Sequence, residues 1–280
     1  MNNSFGLLVA VCCIFLLSGC DFNKDSSKSA AVVKSTRILV PALPIIQDAV
    51  FELSPLYEGR RNAEVMEQLC GVARGMIKIE QIKVFLKRKG VDAEKIANDK
   101  DQFSLLLSND QDAQVSACAA YLATSVLTTV DVSEFARAST AASKDGVPAM
   151  STLEVDSKLL SQALPVKLAL ARTNADVFSQ IAVQLQKTPG LTIPQYRERA
   201  KILFSQLSPH YLSYIGDNLP LRGTQYQLVQ ADEHRFSFVS SAGAVFEFGI
   251  DGLVFRQNGI VWYGGGKLLG HNYALDVGRP

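Results

Sequence analysis

Three histidines, His210, His234 and His271, are the first side chains to test for chemistry, because imidazole titrates near neutrality and is a common metal ligand. They are far apart in the chain, and none stands in a His-x3-His or Cys-flanked zinc spacing, so no metal site is expected. His271, Asn272, Tyr273 and Asp276 form the one compact group of polar functional side chains, and catalysis there would require a cleft to collect them. The stretch Tyr263-Gly264-Gly265-Gly266-Lys267 is superficially like a phosphate cradle. Leu268 follows the lysine where a P-loop has Ser or Thr, and the glycine spacing differs, so it reads as a strand-ending loop. No nucleophile-elbow, His-Glu-x-x-His or Ser-x-x-Lys motif occurs in a suitable context. The sequence therefore offers no catalytic residue and calls for no cofactor.

Charge narrows the partners. The formal net charge is +1, and no basic run exceeds Lys87-Arg88-Lys89, so nucleic-acid binding is unsupported. That triplet precedes Gly90, where cations at a helix C-terminus followed by a glycine cap are expected on structural grounds alone.

The address is written in the first twenty residues. Phe5 to Leu17 is an almost unbroken apolar run without charge, closed by the small residues Ser18 and Gly19. This is the layout of a signal-peptide h-region and cleavage site. The run ends at Asp21-Phe22-Asn23-Lys24-Asp25, short of the roughly 20 apolar residues that a spanning helix needs. Leu17-Ser18-Gly19-Cys20 resembles the lipobox of bacterial lipoprotein precursors. Met1-Asn2-Asn3-Ser4 departs from that pattern in having no Lys or Arg.

The resemblance covers the leader alone and implies cleavage before Cys20, whose thiol takes a diacylglycerol. Membrane lipid is then a partner through Cys20. Each buried methylene contributes about 0.8 kcal/mol, so several acyl chains on one residue give lasting anchorage without spanning. In enteric-type lipoproteins an aspartate after the lipidated cysteine acts as a retention signal; Asp21 stands there and implies the inner membrane, facing the periplasm. Residues 20–40 are expected to be the lipidated cysteine and a flexible tether. The polar, serine-rich part from Phe22 to Ser35 has a mean reach of about 20 Å.

Export changes the cysteine count. Cys12 and Cys13 leave with the signal peptide (1–19) and Cys20 is lipidated, so Cys70 and Cys118 remain. An even pair in an oxidising compartment suggests a disulfide. Cys70 belongs to an apolar helical pattern with Gly71 and Gly75 beside it, and Cys118 to an alanine-rich one with Ala117 and Ala120. Small residues permit the Cα separation of about 5.5 to 6 Å that a bridge requires.

These residues must be positioned by a body of some 240 residues in which 48% of the whole chain is hydrophobic, ample for a core. An α+β fold is expected: a helical domain over 41–215, then an antiparallel β-meander over 216–280 packed on it. Helices are predicted from Pro44 to Leu53, across 62–89, and near 109–130, 165–186 and 193–207. Ser108-Asn109-Asp110-Gln111 and Thr192-Ile193-Pro194-Gln195 fit capping boxes. The small-residue stretch Ala138 to Ser151 reads as a mobile loop. After Gln225 the period becomes two, with turns at Asp232-Glu233, Ser241-Ala242-Gly243, Asp251-Gly252 and Asn258-Gly259. Phe236, Phe238, Phe246, Phe248, Ile250, Ile260 and Trp262 give the sheet an aromatic face, expected to lie on the helices.

Three function classes remain. A tethered interaction or assembly protein of the cell envelope, with a protein partner, needs a docking face but no convergent ionisable groups. An anchored envelope hydrolase needs a cleft with a nucleophile or acid–base pair, and a lipid- or peptide-binding module needs a deep apolar pocket. The absence of motifs favours the first, a non-enzymatic role.

Overall fold

The computed structural model describes residues 38–57, 59–98, 102–127, 136–140, 151–217, 225–231, 235–241, 243–249, 252–257, 260–265 and 273–279. The body starts by pairing its first strand with its last. β1 (Ile38–Pro41) runs antiparallel to β9 (Ala274–Val277), with Ile38 opposite Val277 and Pro41 opposite Ala274. The structured body thus includes Ile38–Val40 from the stretch expected as tether, and β9 stands apart from the meander. α1 (Ala42–Leu53) follows at once. It begins two residues before Pro44, because a proline in the first turn removes an amide that has no intrahelical partner anyway. The Ala42 amide donates to the Tyr273 carbonyl at 2.7 Å, fastening the helix start to the chain end.

The predicted 62–89 segment is two helices, α2 (Ala63–Ala73) and α3 (Ile79–Arg88). Asn62 caps α2 by accepting the Val65 amide at 3.0 Å. Gly75 breaks the segment with a left-handed φ of 69°, and the Met76 and Ile77 amides turn back to the Gly71 carbonyl. α3 ends similarly at Gly90, φ 73°, behind the basic triplet. α4 (Ala93–Asn98) and a 3-10 turn (Ser104–Leu107) lead to α5 (Gln111–Ser125). Its cap is Asp110, which accepts the Ala113 amide, and not Ser108, whose hydroxyl donates to the Leu105 carbonyl. Gln111 leaves the expected box to donate to the Ala73 carbonyl of α2.

Both ends of the stretch expected as a loop are strands: β2 (Ala136–Thr140) pairs with β3 (Ser151–Val155), and 141–150 lie outside the described residues. The ladder satisfies backbone groups that a loop would leave to water, and Thr140 and Thr152 suit a strand. α6 (Ser157–Gln186) begins well before Pro165. Asp156 caps it by accepting the Lys158 and Leu159 amides, and Leu160, Leu164 and Leu168 are fully buried across the proline. Burial of each leucine stabilises by about 1.5–3 kcal/mol, which outweighs the roughly 3 kcal/mol of an internal proline. α7 (Ile193–Asp217) likewise runs through Pro209, beyond its expected end at 207, because Tyr211 and Ile215 pack in the core. At its start Gln195 accepts the Thr192 amide at 2.8 Å, one half of the predicted box.

The meander is β4 (Tyr226–Ala231), β5 (Arg235–Ser240), β6 (Val245–Gly249), β7 (Gly252–Gln257) and β8 (Ile260–Gly265), antiparallel and in sequence order. It packs on α6 through β8, β7 and β4, so the architecture is α+β with the sheet laid on the helical body. Phe238 and Phe246 face each other across β5 and β6 and are fully buried. The side chains of Phe236, Phe248, Ile260 and Trp262, and residue Ile250, lie outside the described set.

Two cores meet at α5. One joins α1, α5, α6, α7 and Leu275 of β9; the other joins α2, α3, α4 and the 3-10 turn to Ala117, Cys118 and Tyr121 of α5. A buried polar chain ties the first core: the Tyr211 hydroxyl donates to Asn174 Oδ1 at 2.6 Å, and Asn174 Nδ2 donates to the Ala123 carbonyl at 3.0 Å. Burial pushes the Tyr211 phenol well above its usual ionisation range. Unfolded tyrosine ionises near pH 10, so the folded state keeps a proton that the unfolded state loses, and stability should fall as pH rises above about 10. Tyr211→Phe should lower stability at pH 8 by about 1–3 kcal/mol, leaving Asn174 Oδ1 unpaired, and should flatten the alkaline decline. Chemical denaturation from pH 8 to beyond pH 10 checks both, and an unchanged alkaline slope would contradict the assignment.

Candidate functional site

Cys20 and Asp21, the residues expected to be lipidated and to direct sorting, lie outside the described residues, as do His234, His271, Asn272 and Lys267. Those that are described fall into separate places. His210 is exposed on α7, its ring 6.2 Å from that of Tyr214. Tyr273 and Asp276 serve through their backbones. The Asp276 carbonyl accepts the Gly190 amide at 2.7 Å and the Tyr196 hydroxyl at 3.0 Å. Gly264 and Gly265 lie in β8, opposite Leu253 and Gly252, and Gly266 lies outside the described residues with Lys267. Among the described residues no three of His, Cys, Asp or Glu are grouped to hold a metal ion, and no helix is long and apolar enough to cross a membrane.

The structure does bring Cys70 and Cys118 together. Their sulfurs are 2.12 Å apart and their Cα atoms 5.3 Å, linking α2 to α5 across a sequence separation of 48. The approach depends on local small residues. Gly71 follows Cys70, and a Cβ there would stand 2.5 Å from the Cδ1 of Ile77. Ala117, Ala119 and Ala120 surround Cys118 and are buried.

Beside this link is a polar node that no sequence motif announced. The Arg61 guanidinium stacks 4.0 Å above the Tyr121 ring, donates to the Tyr121 carbonyl at 2.6 Å and donates to Thr124 Oγ1 at 2.5 Å. Ser54 Oγ lies 3.0 Å from the same Thr124 oxygen. Burial raises the Tyr121 phenol above its usual range, and the Arg61 charge partly offsets this. A cation at the C-terminal turn of α5 meets the negative end of the helix dipole, so the node is a structural cap. The available signal was Arg61 alone, standing just before the Asn62 cap.

Two clefts flank α5. One, of about 380 Å³, opens between α2 and α5 beside Cys70 and is lined by Met66, Gly71, Met76, Ile77 and Tyr121, with Arg74 at hand. The other, of about 390 Å³, lies between α5 and α7 on Leu105, Ala113, Ala117 and Pro209. Ser116 and Ser205 meet there, their hydroxyls 2.8 Å apart, and Asp112 stands one turn before Ser116. The hydroxyls are engaged with each other and the floor is apolar, so this cleft offers shape and hydrogen bonds and shows no aligned nucleophile–base pair.

Closing a loop of 48 residues removes unfolded-state entropy worth about 4 kcal/mol in the chain-entropy model. In denatured protein made in a cell with its oxidative folding machinery intact, both thiols should resist alkylation before reduction and react after it. Cys70→Ala or Cys118→Ala should leave the partner reactive and lower the melting temperature by on the order of 10 °C. Two thiols reactive without reduction would remove the bridge.

Comparison of the chain with protein-family models, with curated proteins and with solved structures finds no match in any of the three.

Proposed function

We propose that the chain is an exported bacterial lipoprotein, held at a membrane through lipid on Cys20, whose folded body works by docking to other components of the cell envelope. The observation that carries this reading is the lipobox-like Leu17-Ser18-Gly19-Cys20 closing an uncharged apolar run. The thiol pair at bonding distance supports it, because stable disulfides belong to oxidising compartments. The body's first strand begins at Ile38, so a polar spacer separates it from the anchor. Asp21 favours retention at the inner membrane, with the body in the periplasm.

Cys20→Ala should abolish labelling with a fatty-acid probe and leave the precursor uncleaved; equal labelling of mutant and wild type would refute lipidation. In an enteric host, Asp21→Ser should move the protein towards the outer membrane on fractionation, and an unchanged distribution would remove the sorting role. Crosslinking in intact cells should enrich the components of one envelope complex over an unrelated anchored control. Recovery of the same background as the control would argue against the docking role.

A further inference from the structure

We infer that the outward face of α3, with the turn before it, docks on an anionic phospholipid surface. The inference rests on membrane anchoring, which would hold a bilayer within reach of the body. Residues 74–98 hold seven of the chain's 28 Lys and Arg residues but only three of its 27 Asp and Glu, a local basic excess in a chain near neutrality. α3 turns Ile82 and Leu86 into the core, so its 3.6-residue period leaves Lys83, Val84, Lys87 and Arg88 facing outward, and all four are exposed. Arg74 and Lys78 stand exposed on the preceding turn. Among the described residues the one ion pair of this stretch is Lys89 with Glu64, at 2.8 Å, so Arg74, Lys78, Lys83, Lys87 and Arg88 keep their charge for a partner.

The nearby carboxylates reduce the basic excess without reversing it: Glu67 shares a cleft with Arg74 and Met76, and three acidic residues stand among the seven basic ones of 74–98. Asp92 Oδ1 accepts the Glu94 and Lys95 amides at the start of α4, and Asp92 and Glu94 lie at a shallow depression on one flank, beside Lys83 and Lys87. Glu80 is the one acidic residue of α3 itself.

Apolar side chains interrupt the basic surface. Met76 is 75% exposed, the most exposed large apolar side chain among the described residues, and Val84 is 56% exposed. Clusters of about 4–8 Lys and Arg with isolated apolar side chains suit lipid headgroups, whereas protein interfaces are depleted in lysine and centred on aromatic anchors. The apolar stripe of α3 is already spent in the core, so the contact is peripheral, with Met76 and Val84 reaching the headgroup level. A short tether raises the effective concentration of the bilayer to about the millimolar range, so a weak contact is populated.

The test uses the lipidated full-length mature protein in vesicles of phosphatidylcholine, alone or enriched in phosphatidylglycerol. An environment-sensitive dye is placed at Val84→Cys while Cys70 and Cys118 remain oxidised. Emission should shift to the blue on the anionic vesicles only, revert in high salt, and stay unshifted in Lys83→Glu/Lys87→Glu, whose melting temperature should match its parent. Flotation of the same samples in high salt reports the acyl anchor separately. Protein that floats but shows equal emission on both vesicle types, or an undiminished shift in the charge-reversed variant, overturns the docking face and leaves the anchor standing. Protein that fails to float overturns the anchor, and the docking inference with it. A shift on polyglutamate but not on anionic vesicles would also overturn the lipid assignment and give the face to an acidic protein.

Discussion

Everything in the helical body depends on burying α5 on both sides. A helix between two cores cannot carry one apolar stripe and one polar face; it must be small and apolar nearly all round. Its sequence Gln111 to Ser125 meets this with alanine at 113, 117, 119, 120 and 123. Alanine has the highest helix propensity and loses no side-chain entropy on burial, so α5 stays helical while its neighbours come close. Close approach in turn sets the thiols of Cys70 and Cys118 at bonding distance and lets α1, α2, α6 and α7 all touch one short helix.

Burying that helix raises the problem of its last carbonyls. They are met by side chains from three directions: Asn174 of α6 on Ala123, Ser125 on Leu122, and Arg61 on Tyr121. The Asn174 bond is held by Tyr211 of α7, so the cap also fixes how α6 and α7 lie against α5. Polar groups in the core thus act as registration points. An alanine-rich surface alone, with no large side chains to interlock, would specify helix position poorly.

The legible features were those with local causes. The two-residue period after Gln225 marked the meander because strand alternation is a local pattern; of the predicted turn residues, Gly252 opens β7, and Asp251, Asn258 and Gly259 lie outside the described residues. The cysteine pair was legible from the count that remains once the expected leader is set aside, and Asn62 capped as its type suggests. Features decided by distant contacts were misread. Pro165 read as a helix start and 207 as a helix end, yet the leucines flanking Pro165 and the tyrosine after Pro209 are buried firmly enough to carry each helix through its proline. Gln111 abandoned a local box for a carbonyl on α2, and Arg61, ordinary in sequence, became a cap only because Tyr121 and Thr124 lie beside it in space. Cys20 and Asp21, expected to carry the anchor and the sorting signal, are read from sequence alone, since they fall outside the described residues.

The joining of β1 and β9 makes closure of the body depend on its two strands most distant in the chain. Ile38 pairs with Val277, Tyr273 receives the amide that starts α1, and Gly278 approaches Gly190 so closely that a Cβ there would stand 2.1 Å from the Gly190 oxygen. Leu275 is part of the main core. Without β9, β1 is an unpaired edge and the main core lacks Leu275, however many of the helices have already gathered. Contacts of such long sequence separation form late. A cut between α7 and β9 would therefore leave every helix in place and still open the body at its seam, so the clasp makes the two halves of the fold answer for each other.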